Sequence, residues 1–252
     1  MGHAHQTELI GLVPAAGKGL RLGLPYPKEL YPIIQDNRYK PVAQHVIENL
    51  VAAGARHVVM VVNETKHQLI GYFGSGKRFD CHLSYVFQEH VTAGIKASGG
   101  LAEALDAAYH LTRGKDVLFG MADTIVQPVE AFRSAFAGDC SGADVVLGLF
   151  DTDHPEKFGM VQLDARRRVE RVIDKPERTG LRTMWGFILW RPRFGEFLHE
   201  QLTRSVGIDF AGVLNAAIDE GLMVMGAHVE GGVYIDVGTY EEIQRLEQRY
   251  RR

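Results

Sequence analysis

The stretch "VPAAGKGLRLGLPYPKE", residues 13–29, decides how the chain is read. Gly17 and Gly19 lie one residue apart, Arg21 follows, and Lys28 stands just after Pro27. The run before it, "LIGLV" (9–13), reads as a buried strand, so the glycines open a loop at the strand's carboxyl end. Open α/β sheets bind ligands at that end. Without a Cβ in the way, backbone N–H groups can approach phosphate oxygens. Arg21 can fork across two such oxygens, while Lys28 acts as a point charge whose approach Pro27 stiffens. The stretch therefore suits a phosphate chain. On its own it could equally be a surface turn with solvated charges, so the rest of the chain has to decide.

Two other phosphate-binding designs share this look. A dinucleotide fingerprint needs G-x-G-x-x-G opening a helix directly. Here the third glycine comes one place late, at Gly23, Pro25 and Pro27 forbid an immediate helix, and the second strand ends at Asn63 rather than at an acid. A Walker A loop is imitated by "GYFGSGKR" (71–78), but Arg78 stands where a hydroxyl must ligate magnesium. That segment also follows a helical stretch, and reads as a glycine turn with solvated Lys77 and Arg78.

Outward from the loop, short β-rich runs alternate with helical patterns. Strands are expected at 57–63, 82–87, 116–123 and 143–150, with helices at 41–55 and 101–111. This β-α-β alternation predicts a Rossmann-like α/β three-layer sandwich with a mixed, mostly parallel sheet. The second half changes character. Two strands at 159–164 and 169–176 flank the turn "ARRR", and 183–190 is another strand. Helices follow near 193–202 and 209–220, then strands at 223–229 and 232–238 and a charged helix at 240–250. Residues 1–8 read as a flexible tail and 9–252 as a single domain, its insertion-rich second half forming a lid over the sheet edge.

Composition narrows the function. Of 252 residues, 46% are hydrophobic, enough for a sizeable core. A net charge of −3, with both signs mixed along the chain, carries no nucleic-acid footprint. No apolar run approaches the ~20 residues of a membrane span. The two cysteines, Cys81 and Cys140, lack metal or redox spacing and suit a reducing compartment, so a cytoplasmic location is expected. "DTDHPEKF" (151–158) reads as a solvated loop, and at least one of Trp185 and Trp190 as core.

The run "VPAAGKGLRLGLPYPKELYPI" (13–33) resembles the opening signature of the sugar-1-phosphate nucleotidyltransferases, the nucleoside-diphosphate-sugar pyrophosphorylases of the glucose-1-phosphate thymidylyltransferase type. Four further landmarks resemble that family in the same order. They are Gln88 with "GGLAEAL" (99–105), "FGMAD" (119–123), "FGMVQLD…VIDKP" (158–176) and "YIDVGTYEE" (234–242). Some positions depart from the usual pattern: only six residues separate Arg21 from Lys28, Asp174 replaces a glutamate, and Tyr234 replaces a tryptophan. The short spacing looks more like the cytidylyltransferases and the acetylglucosamine-phosphate uridylyltransferases.

The resemblance implies in-line attack by an acceptor phosphate on the α-phosphorus of a nucleoside triphosphate, with pyrophosphate leaving. It assigns Asp123 and Asp236 to Mg²⁺, Arg21 to the leaving pyrophosphate, and Lys28 to the α-phosphate or the attacking oxygen. Ala15, Ala16, Gly17, Gly19 and Gly100 would line the nucleotide pocket through backbone, and Gln88 would meet a pyrimidine edge. Lys175 would bind the acceptor's phosphate and Asp174 its hydroxyls, with Gly159 and Gly186 against the sugar. The expected partners are a nucleoside triphosphate and a phosphorylated small-molecule acceptor, with neither nucleic acid nor membrane, and relatives of this kind are usually homo-oligomers. Two other readings stay open: a cytidylyltransferase for a non-sugar phosphate or phosphonate, and a non-catalytic nucleotide-sugar sensor.

Overall fold

The computed structural model describes residues 7–17, 19, 22–35, 38–89, 100–137, 140–205 and 207–250. In chain order the strands and helices are β1 (Leu9–Pro14), β2 (Pro32–Gln35), β3 (Arg38–Pro41), α1 (Val42–Ala52), β4 (His57–Val62), α2 (His67–Phe73) and β5 (His82–Phe87). Then come α3 (Leu101–Asp106), α4 (Tyr109–Thr112), β6 (Asp116–Gly120), β7 (Thr124–Gln127), β8 (Val145–Asp151), β9 (Gly159–Leu163) and β10 (Val169–Asp174). The chain closes with β11 (Thr183–Trp190), α5 (Pro192–Arg204), α6 (Phe210–Asp219), β12 (Val224–His228), β13 (Val233–Asp236) and α7 (Tyr240–Tyr250).

β1 pairs in parallel with β4 and with β6, and β4 with β5. β11 joins β6 antiparallel, β8 joins β11 antiparallel, and β12 runs parallel to β8. The result is a mixed, mostly parallel sheet between two helical layers. Alternation along the strands explains the layers. Ile10 and Leu12 of β1, with Val59 and Val61 of β4, pack on one face with α3, α5 and α6. Val13, Val58, Met60 and Val62 face the other way, onto α1 and α2. With both faces covered, central strands read as continuous apolar runs rather than as an alternating pattern.

The second half adds more sheet than the expected lid. β8, β11 and β12 extend the main sheet, and the β9–β10 hairpin joins it through the Met160–Met184 pairing. The expected helix 101–111 is broken between α3 and α4 at Ala107–Ala108. A third apolar cluster, with Leu22, Ile33, Ile125, Val237 and Ile243, seats α7 against the β2–β3 hairpin and a β7–β13 ribbon. Among the described residues, no helix is long and apolar enough to cross a membrane. Both cysteines are buried, and Trp190 is core.

Candidate active site

The glycine loop is fastened at its root. The Ala15 N–H donates to the Val61 carbonyl at 2.7 Å, and Asn63 Nδ2 donates to the Ala16 carbonyl at 2.5 Å. Asn63 is buried, and its Oδ1 accepts from the Thr65 N–H and hydroxyl at 2.9 and 2.7 Å. Beyond that root the backbone is bare. Gly17 is exposed, with nothing within 4 Å of where a Cβ would stand. Gly19 takes a φ of 62°, in the left-handed region that favours glycine, and lies against the Lys28 stem. Arg21 lies outside the described residues.

The chain returns through a 3₁₀ turn, Lys28–Leu30, held by Leu30 N–H to Pro27 carbonyl and Tyr31 N–H to Lys28 carbonyl, both at 2.9 Å. Lys28 makes an ion pair with Asp123. Burial works hardest against its ammonium. The charge and hydrogen bond of Asp123, with Glu29 and Asp236 beyond, nevertheless lift its pKa above the ordinary lysine value. Next to it, Glu29 and Lys66 form a second ion pair, each 2% exposed, with Nζ 2.8 Å from both carboxylate oxygens. Burial pushes the Glu29 carboxyl up, and Lys66 opposes that rise.

Asp123 does not end a strand, as the pattern suggested. β6 stops at Gly120, and the chain turns through Ala122–Asp123 because β7 leaves the main sheet to pair with β13. That ribbon brings the two candidate metal ligands together. Asp236 stands opposite Thr124, and the Val237 N–H donates to the Asp123 carbonyl at 2.9 Å. The Tyr234 phenol feels both carboxylates. Burial first, then Asp236 and Asp123, push its pKa well up.

These elements enclose a cleft of about 290 Å³. Ala16, Gly17, Gly19, Lys28, Gln88, Gly100 and Asp123 line it, as does Glu29. Ala15 sits behind the wall, 2% exposed, with its N–H already used by Val61. Asp236 borders a second cleft of about 250 Å³, with Phe158, Tyr234, Lys157 and Glu242 on its walls. One carboxylate thus faces each cleft across a shared junction.

The hairpin side is more open. Asp174 pairs with Gly159 in register, and the Lys175 N–H donates to the Phe158 carbonyl at 3.0 Å. The Lys175 side chain is 62% exposed, that of Asp174 45%, and Nζ lies 3.8 Å from Oδ2. Lys175 also adopts a φ of 43°, unusual for a non-glycine residue. The two candidate sugar-facing glycines have packing reasons of their own. A Cβ at Gly159 would lie 2.2 Å from Trp185 Nε1, and one at Gly186 would lie 2.6 Å from Tyr234 Cδ2. Phe158 meets Tyr234 edge-on at 5.8 Å, which ties the hairpin to the ribbon carrying Asp236.

Among the described residues, no three or more His, Cys, Asp or Glu side chains form a metal cluster. The donor set is two carboxylates at one junction, where a Lys28 ammonium is already held. That set suits Mg²⁺, which takes one or two carboxylates and completes its octahedron with water and substrate phosphates. Sequence reasoning missed Asn63, Glu29 and Lys66. Only "PKEL" carried a hint of Glu29, as an acid set among residues that must turn inward; nothing in "NETKH" (63–67) marks Lys66 as buried.

A glycine-bearing strand-end loop, Lys28 and two carboxylates at one junction stand on a mixed α/β sheet of the nucleotidyltransferase fold class. The chain belongs to the Nucleotidyl transferase family, matched over residues 10–252, and within it to the sugar-1-phosphate nucleotidyltransferases. It is 25% identical over 229 residues to the low-salt glycan biosynthesis nucleotidyltransferase Agl11 of Haloferax volcanii, covering 88% of this chain and 59% of that protein. It therefore spans less than two thirds of that relative. It is 26% identical over 275 residues to a UTP–glucose-1-phosphate uridylyltransferase of Mycoplasma pneumoniae, covering 90% of this chain and 87% of the other. A solved UDP-glucose pyrophosphorylase, crystallised with UDP-glucose, shares the fold with a TM-score of 0.76 at 19% identity, covering 97% and 98% of the two chains.

Proposed function

We propose that this chain transfers a nucleotidyl group from a nucleoside triphosphate, with a pyrimidine base preferred, to a sugar 1-phosphate, releasing pyrophosphate. The observation that carries the reading is the convergence of Lys28, Asp123 and Asp236 at the junction of two clefts. Similar proteins named as a glucose-1-phosphate uridylyltransferase and a glucose-1-phosphate thymidylyltransferase support the same reaction. Two anions must meet for it to proceed, so charge stabilisation and alignment carry the catalysis. No general base is needed, because the attacking phosphate oxygen is already ionised.

In this reading the triphosphate lies in the cleft lined by Gly17, Gly19 and Gln88, with its phosphates along the bare loop backbone. Gln88 offers a donor and an acceptor to the base. Lys28 meets the α-phosphate, and Arg21 meets the leaving pyrophosphate. Lys175 and Asp174 bind the acceptor from the hairpin side. Asp123 and Asp236 would hold Mg²⁺, which when bound neutralises phosphate charge at the reacting centre. Two buried cysteines without metal or redox spacing fit a cytoplasmic setting.

The test is a pyrophosphate-release screen that crosses UTP, dTTP, CTP, ATP and GTP with sugar 1-phosphates and with phosphorylated alcohols, amines and phosphonates. Turnover with a pyrimidine triphosphate and a sugar 1-phosphate supports the reading. Turnover confined to CTP with a non-sugar acceptor moves the chain to the cytidylyltransferases. Triphosphate binding without any turnover makes it a sensor.

A further inference from the structure

We propose that Lys66, acting through Glu29, is a positioning residue that fixes where the Lys28 ammonium stands. The inference rests on Lys28 serving the proposed transfer. It starts from a physical oddity. Glu29 and Lys66 are each 2% exposed and are joined by two 2.8 Å contacts. A buried ion pair loses so much hydration that apolar side chains of the same volume hold a fold together as well or better. Core stability is therefore a poor reason to keep this pair, and its location supplies a better one.

Glu29 is the middle residue of the Lys28–Leu30 turn. The backbone of that turn is held by two hydrogen bonds, with Pro27 before it lacking an N–H; Leu30 packs on the core, and Lys28 reaches Asp123. A small rotation of so short a 3₁₀ turn about its ends would swing Lys28 away from Asp123. The grip of Lys66 on both Glu29 oxygens removes that freedom. Lys66 is itself set by its N–H to the Asn63 carbonyl and by the Leu69 N–H to its own carbonyl, at 3.0 and 2.9 Å.

The same short segment also holds the other half of the phosphate site, because Asn63 Nδ2 binds the Ala16 carbonyl. Residues 63–66 thus set the separation between the glycine loop and Lys28.

The experiment is steady-state kinetics on the full chain, with rates expressed per folded protein by circular dichroism. Lys66→Met should lower kcat about 30-fold while changing the triphosphate KM by less than about 3-fold, the pattern of a misplaced catalytic group. Lys66→Arg, which can still fork onto Glu29, should recover much of the loss. In a Lys28→Ala background, Lys66→Met should cost almost nothing more, because its route of action is gone. If Lys66→Met does not fold, Glu29→Gln combined with Lys66→Met leaves no unpaired buried charge and carries the same expectation of slow turnover. A folded variant within about 2-fold of wild-type kcat overturns the inference. So does a Lys66→Met loss that persists undiminished without Lys28. A Lys28→Ala variant with normal turnover instead overturns the role of Lys28 itself, so the two failures are separable.

Discussion

On the loop side of the Asp123–Asp236 junction, Glu29 and Lys66 are sunk into the fold at 2% exposure, with Lys28 half-buried beside them. On the hairpin side, the side chains of Asp174 and Lys175 stand out at 45% and 62%. The contrast separates two ways of handling phosphate charge. Charges held in a desolvated wall act strongly and need no reorganisation when a ligand arrives. Exposed charges are screened, and gain strength only when a ligand covers them. In the proposed reaction the loop side would serve the transition state, and the hairpin side the capture of the acceptor.

The largest effect is expected at the cations of the loop side. Lys28→Ala should lower turnover about 10³-fold with little change in acceptor KM, as should Arg21→Ala, on the scale of removing a preorganised charge stabiliser. Single-turnover pyrophosphate release measures it. A drop of only a few fold at Lys28 would mean that its burial serves the fold and not the chemistry.

A step smaller, about 10²-fold, is expected for Asp123→Asn and Asp236→Asn, because water and substrate phosphates can replace one ligand of a Mg²⁺ ion. Both variants should need far more Mg²⁺ for half-maximal rate than wild type, as read from titrations against added metal. If only one of them shifts the metal requirement, the junction is not shared and the two clefts act separately.

Lys175→Ala should leave kcat within a few fold and raise the acceptor KM about 10-fold, with the triphosphate KM unchanged. Raising salt from 50 to about 300 mM should weaken acceptor binding more than triphosphate binding, because the hairpin charges lie in solvent. A triphosphate KM that rises with Lys175→Ala would place this lysine on the nucleotide side and dissolve the comparison.

Much of this was legible in the sequence, for reasons that differ by element. β5, β11 and α7 were read to the residue, because a run such as "TMWGFILW" (183–190) has one pattern and clear ends. Gly17, Gly19 and Lys28 were legible from the loop after β1, and Gln88 and Gly100 only through the family resemblance; all five line one cleft. Asp123 was placed in the right neighbourhood but on the wrong element. Only Met121–Asp123 separate β6 from β7, and β7 leaves the main sheet to pair with β13, over a hundred residues later. Lys66 was illegible for a related reason. A lysine is read as exposed unless a partner is known, and its partner, Glu29, lies 37 residues away. Local pattern reports elements, whereas burial of a charge is decided by a contact that no window of sequence contains.

The smallest effect concerns a titratable group on α1, the helix that packs against β1 and the Lys28–Leu30 turn. His45 of α1 is 5% exposed, and its Nε2 has no hydrogen-bond partner among the described residues. Burial, with a lesser push from Lys40, lowers its pKa from 6.5 to about 3. Between those two values the unfolded chain carries a proton on this ring and the folded chain does not. The unfolded state thus binds more protons, so stability rises with pH across that window and is lost as pH falls below about 6.5. One such group gives a slope approaching about 1.4 kcal/mol per pH unit, or roughly 2 kcal/mol between neutrality and pH 5. Urea unfolding at pH 7.5 and pH 5 measures it. His45→Leu should keep stability nearly level across that interval where wild type declines, leaving only the smaller contribution of carboxylates such as Glu242, whose pKa is held low chiefly by its hydrogen bond to Lys157 against the opposing and larger pull of burial. An equal decline in both proteins would show that His45 finds a proton acceptor inside the fold, and that the loop side is less rigid at α1 than its burial implies.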